Sequence, residues 1–159
     1  MQPFSHLTIQ PLIIPKFSRS QIPKSFLLLP AMKRIGLLSD THGSISPRVF
    51  RFFEPVDEIW HAGDIGNVET ADRLSAFKPL KAVYGNIDDH VLRRMFPEIQ
   101  RFLCEEVDVL MTHIGGYPGR YENKVRNQFK IKPPQLFICG HSHILNLLLV
   151  LHFHTLIRC

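Results

Sequence analysis

The first 31 residues of this 159-residue chain contain no Asp and no Glu, although they carry Lys16, Arg19 and Lys24. They also hold Pro3, Pro11, Pro15, Pro23 and Pro30, which break any helix there and make the segment a poor amphipathic transit peptide. Phe26-Leu27-Leu28-Leu29 is too short an apolar core for a secretory signal. Residues 1–31 therefore read as a disordered or spurious N-terminal extension, with Met32-Lys33-Arg34 as the natural start of one domain over 32–159. Paired cysteine spacing is missing as well. Cys104, Cys139 and Cys159 are the only cysteines, which excludes a disulfide scaffold and points to a reducing, cytoplasmic setting. Cys139 sits in an apolar run and reads as a small core residue. No apolar run reaches the roughly 20 residues of a membrane span. The formal charge of +5 is uneven, and Met32 to Ile144 is close to neutral. Without a basic stripe interleaved with aromatics, neither a nucleic acid nor a membrane is an expected partner.

What the chain does have is five apolar runs, each closed by a polar tip. The runs are 34–39, 58–62, 80–84, 107–112 and 136–139. Their tips are Asp40-Thr41-His42, Gly63-Asp64, Gly85-Asn86, His113 and Gly140-His141-Ser142-His143. Between the runs the pattern turns helical. Ser46 and Pro47 are an N-cap and first-turn residue for a helix over Pro47–Phe53. Val68, Ala71, Leu74 and Phe77 have helical spacing. Short helices are expected over Asp88–Phe96, closed by Pro97, and over Tyr121–Phe129, whereas Arg101–Glu105 and Val107–Thr112 read as two antiparallel strands joined at Glu105-Glu106. Phe50, Phe52, Phe53 and Phe77 are expected in the core. Strands alternating with helices imply an α/β fold with parallel pairing. In such sheets ligands gather beyond the carboxyl ends of the strands, where all five tips would converge.

Two carboxylates, an amide and four imidazoles are the ligand types of a two-metal hydrolytic site, in which ions about 4 Å apart clamp a phosphoryl group. Asp40 and His42 lie two apart, so an extended tip points both the same way, as it would His141 and His143. Asp64, beside Gly63, is the best candidate for a carboxylate bridging both ions. Asn86 adds a neutral oxygen and His113 a nitrogen. Nitrogen and oxygen donors without thiolate suit Mn, Fe, Zn, Co or Ni better than Ca.

These motifs, in this order, resemble the signature of the calcineurin-like metallophosphoesterases, D-x-H…GD…GN…H…GHxH. Ser39–Gly43 and His61–Asp64 resemble its small bacterial and archaeal phosphodiesterase branch, over roughly Lys33 to Ile144. The resemblance implies a four-layer αββα sandwich and a phosphodiesterase using two divalent ions, manganese foremost. One ion would be held by Asp40, His42, Asp64 and His143, and the other by Asp64, Asn86, His113 and His141. A bridging hydroxide would attack phosphorus in line, with Asn86 also positioning the phosphate of a small phosphate-ester substrate.

Two departures stand out. Many family members carry a His after the GN motif as the leaving-group acid, and Ile87 here cannot donate a proton, which favours good leaving groups. Past about Leu145 no family pattern is found, so the closing strands of the fold are expected to be missing and 145–159 to form an atypical tail. An apolar tail without partner strands leaves part of a sheet edge and core uncovered. Other assignments stay open. His61 is either a partner of a metal ligand or a structural histidine. Arg120, in the loop after His113, either meets a substrate phosphate or is solvated. His90 reads as surface, and His152 and His154 as non-ligands. A non-catalytic protein-binding scaffold of the same fold, or an inactive truncated member, is the alternative function, and homo-oligomerisation is left open.

Overall fold

The computed structural model describes residues 33–142 and the backbone of 146–149. The N-terminal extension, His143, His152, His154 and Cys159 lie outside the described residues. In chain order the elements are β1 (Ile35–Leu38), α1 (Pro47–Phe52), β2 (Glu58–Ala62), α2 (Val68–Phe77), β3 (Leu80–Val83), α3 (His90–Met95), β4 (Ile99–Cys104), β5 (Val107–Thr112), β6 (Gly116–Tyr117), β7 (Arg120–Tyr121), α4 (Asn123–Ile131), β8 (Leu136–Cys139) and β9 (Asn146–Leu149). β1, β2 and β3 form one sheet and pair in parallel. A second sheet has the order β4-β5-β8-β9, in which β5 and β8 are parallel and the outer pairs antiparallel.

Alternation along the strands stacks these sheets and their helices into four layers. On β2, Trp60 and Ala62 face the space between the sheets, where they pack with Val83, Val109, Met111 and Ile138. Ile59 points the other way, into a cluster with Ile45, Phe53 and Leu74 from the α1–α2 side. On the second sheet, Leu110, Phe137 and Cys139 pack with Val125 of α4, with Phe129 against them. Every residue of β2 is buried, the mark of a central strand covered on both faces.

The helix over 68–77 matches its apolar spacing, and Asn67 caps it through Thr70 N–H at 2.8 Å. α1 starts at Pro47 behind Ser46, as its sequence signals require. Phe52 corrects an expectation, being 77% exposed. Val49, Phe50 and Phe53 share the face turned to the sheet, and Phe52 falls opposite. α3 begins two residues later than the sequence suggests because Asp89 is the cap, accepting from Val91 N–H and Leu92 N–H. The two-residue hairpin at Glu105-Glu106 is present, with Glu105 at φ 53°.

The chain beyond residue 145 contributes more than expected. Asn146–Leu149 pairs with Leu136–Cys139 and extends the second sheet. The edge of β1 has no strand partner among the described residues. Beside it an apolar cleft of about 320 Å³ opens between the sheets, lined by Ile35, Leu37, Trp60, Val107, Leu136 and Ile138 among others.

Candidate metal centre

β1, β2, β3, β5 and β8 all end at the same side of the sandwich, and each delivers one tip. Beyond β1 and β2 the backbones stay zipped together. Asp40 N–H donates to Gly63 C=O at 3.0 Å, His42 N–H to Asp64 C=O at 3.0 Å, and Gly43 N–H to Ile65 C=O at 2.7 Å. The fifth tip is tied in by Gly140 N–H to His113 C=O at 3.0 Å.

The first tip is not extended, contrary to the sequence reading. Asp40 and His42 both occupy the left-handed region, at φ 56° and 49°, as do Asp64 at 56° and His141 at 71°. Four of the five non-glycine residues with positive φ among the described residues are therefore candidate ligands. Each such conformation costs of order 1–2 kcal/mol for an L-residue, and strain of this kind collects where the surroundings hold a functional geometry. Gly85 is required by close packing, since a Cβ there would collide with the Asp64 carboxylate and backbone nitrogen.

The result is two groups of donors with one member in common. Donor atoms of Asp40, His42 and Asp64 lie within 4.8 Å of one another, and so do those of Asp64, His113 and His141. Asp64 and His113 are buried, at 3% and 2% exposure, whereas His42 and His141 open to solvent. His113 Nδ1 donates to the Ala62 carbonyl at 2.8 Å, which leaves the lone pair on Nε2. Facing that lone pair are Asp64 Oδ1 at 3.2 Å and Asn86 Oδ1 at 3.1 Å. Three acceptors turned on one another are an arrangement that a divalent cation satisfies. At Asp40, Oδ2 receives Ser39 Oγ–H at 2.5 Å and His141 N–H at 3.3 Å. Its Oδ1 is buried without a partner among the described residues. A buried carboxylate oxygen left bare in this way fits a metal ligand. By chemistry and geometry the residues fit two divalent ions, one on Asp40, His42 and Asp64, the other on Asp64, Asn86, His113 and His141.

Residues 32–149 match the calcineurin-like phosphoesterase superfamily domain. The chain belongs to that superfamily. A probable metallophosphoesterase of Methanothermobacter thermautotrophicus is 31% identical over 114 residues, covering 69% of this chain and 66% of the relative, so the chain spans just under two thirds of that protein. The structure of an archaeal phosphodiesterase superposes with a TM-score of 0.55 at 21% identity, over 69% of this chain and 73% of that one. Vps29 of Chaetomium thermophilum superposes with a TM-score of 0.56 at 17% identity, over 71% and 62%. These two structures share the fold of the phosphoesterase domain described above.

Of the nine site residues read from the sequence, Asp40, His42, Asp64, Asn86, His113 and His141 come together in this phosphoesterase domain, and His143 lies outside the described residues. Arg120 does not join them. It stands exposed on β7, in the small β6–β7 hairpin. His61 makes its hydrogen bond to Thr41, between two ligands, rather than to a ligand itself. It is fully buried, its Nε2 lies 2.9 Å from Thr41 Oγ1, and its Nδ1 has no partner among the described residues. Burial pushes its pKa down to about 4, so it is neutral at physiological pH. Thr41 also donates to Ile65 C=O at 3.1 Å, so His61 supports the turn between Asp40 and His42. Burial raises the Cys139 thiol to about 11, in keeping with a core residue rather than a thiolate ligand.

Two residues of this framework are not evident from the sequence. The Asp88 carboxylate, 2% exposed, accepts from Gly66 N–H at 2.7 Å, Gly85 N–H at 2.8 Å and Ile65 N–H at 3.2 Å. It binds the second tip to the third. Arg93 closes the third tip from outside, donating to Asp88 C=O at 2.7 Å and Asn86 C=O at 3.0 Å while its guanidinium lies over Tyr84. The spacing Gly85-Asn86-Ile87-Asp88 was the only available hint, and next to Asp89 it looks like the start of a helix.

Proposed function

We propose that the chain is a metal-dependent phosphoesterase acting on phosphodiesters, with two divalent ions, manganese foremost, and a small phosphate ester as substrate. The observation that carries this is the pair of donor groups sharing buried Asp64. Two ions held there would lower the pKa of water, polarise the phosphoryl oxygens and stabilise an in-line displacement. The chain's own part is to hold the donors in place. Ala62 C=O fixes the His113 proton on Nδ1, Ser39 and the His141 N–H fix one Asp40 oxygen, and Ile87 N–H fixes Asp64 Oδ1 at 3.1 Å. Asn86, exposed beside His113, is placed to meet a phosphoryl oxygen.

Preference for diesters with good leaving groups follows from Ile87. It stands 46% exposed where a proton donor would sit, and it has no proton to give. That none of the seven donor positions is replaced in the sequence, and that six of them converge here, also argues against a purely scaffolding role. The test is release of p-nitrophenol from bis(p-nitrophenyl) phosphate by the full chain, with manganese added and with EDTA. Manganese-dependent turnover that EDTA abolishes is the expected result. No turnover by a folded, manganese-loaded sample would refute the proposal.

A further inference from the structure

A cleft of about 650 Å³ opens directly beside the second donor group, and Asn86 and His113 belong to its wall. Its size lies in the middle of the range for organic ligands and well beyond what one phosphate needs. Tyr84, Ile99 and Ile114 line it with apolar surface, Ile114 being 39% exposed, while Val125 beneath them is buried. The ionic groups on the wall are already engaged. Lys124 Nζ contacts both Glu98 oxygens, at 2.6 and 2.7 Å. Arg93 is held by the Asn86 and Asp88 carbonyls. Glu122, the remaining charged residue of the lining, is negative. A second anionic group would meet two carboxylates and two occupied cations in this cleft, whereas an uncharged ring would cover Ile99 and Ile114.

We propose that this cleft seats the organic arm of the substrate, and that the arm is bulky, ring-bearing and uncharged. The preferred substrates are then phosphate esters with an aryl- or nucleoside-sized neutral group, rather than small alkyl esters or esters with a second acidic group. The inference rests on the phosphoesterase reading, because it takes the phosphate to lie against Asn86 and His113. Burial of one ring against an apolar wall corresponds to roughly a tenfold gain in affinity.

Calorimetric titration of the full, manganese-loaded chain tests this without turnover, using methyl phosphate, phenyl phosphate and 4-carboxyphenyl phosphate. Phenyl phosphate is expected to bind about tenfold tighter than methyl phosphate, and the carboxylated ring is expected to lose that advantage. Ile114→Trp, which fills the cleft, should bring phenyl phosphate down to the level of methyl phosphate measured on the same variant. Ile114→Ala, a milder change, should reduce the phenyl advantage about threefold. Equal binding of methyl and phenyl phosphate by the wild type, or a phenyl advantage untouched in both variants, overturns the cleft assignment while leaving the phosphoesterase reading intact. Equal affinity for the carboxylated ring overturns the requirement for a neutral arm. Failure of all three ligands to bind the loaded chain removes the phosphoesterase reading, and this inference with it.

Discussion

Replacing Asp88 should damage both the stability and the metal site of this protein, although Asp88 is assigned no ligand role. Its carboxylate is 2% exposed and accepts three backbone N–H groups, from Ile65, Gly66 and Gly85. Hydrogen bonds to a charged group contribute about 1.5–3 kcal/mol each, and a buried donor left unpaired costs about 1–3 kcal/mol. Relaxation and water entry recover part of the sum, so Asp88→Ala is expected to destabilise by about 4 kcal/mol. Asp88→Asn keeps two acceptor contacts and sets an amide against the third donor, for a cost of about 2 kcal/mol. With a urea slope of about 2 kcal/mol per molar, the unfolding midpoints should fall by about 2 M and 1 M respectively. The same substitutions free the Gly85–Ile87 turn that places Asn86 and the Ile87 N–H, so manganese affinity should weaken in both. The assay is urea unfolding in EDTA followed by manganese titration of the folded fraction. An Asp88→Ala protein with a wild-type midpoint and wild-type manganese uptake would refute the reasoning.

Other outcomes follow from the same structure. Asp108 is bound by Arg101 through two bonds, at 2.9 and 2.7 Å, and by Lys132 at 3.0 Å; the Arg101 bonds foremost hold its carboxyl at about 2 instead of 3.8. Because the folded value is the lower one, this stabilisation is complete above about pH 4 and disappears as the pH falls through 2. Arg101→Gln should therefore move acid unfolding to higher pH, read by circular dichroism, and cost about 2 kcal/mol at neutral pH, because Asp108 is buried and keeps only Lys132. Ile87→His should restore a leaving-group acid, raising turnover of alkyl-leaving diesters by about 10²-fold with little change for p-nitrophenyl esters; equal gains on both would contradict the role given to Ile87. Gly63→Ala should cut activity sharply, because φ is 90° there and the added carbon would lie 2.5 Å from His113 Cβ; wild-type kinetics would show that this packing does not set the His113 position.

How much of this was legible beforehand depended on the kind of signal. α2 could be read because Val68, Ala71, Leu74 and Phe77 all pack into the core, in two clusters that share Leu80, a one-dimensional consequence of burial on one side. The tips could be read because strands covered on both faces stay apolar along their length, so the polar residues that follow mark where each strand leaves the core. The left-handed turns at Asp40 and His42 could not be, since nothing in D-T-H distinguishes them from an extended tip. Asp88 was hidden for a different reason. Its three partners are backbone groups from residues 65, 66 and 85, and main-chain donors leave no trace in a sequence. Phe52 misled because α1 spans only six residues, too few for an apolar stripe to separate from its opposite face.

The central claim is that Asp64 joins two metal sites into one. Calorimetric titration of manganese into the full wild-type chain and into Asp64→Asn tests it most directly. The structure predicts two ions per wild-type chain and weakened uptake of both in the variant, because the side chain belongs to both donor groups. A wild-type chain that takes one ion or none, or an Asp64→Asn chain that still takes two with unchanged affinity, would contradict it.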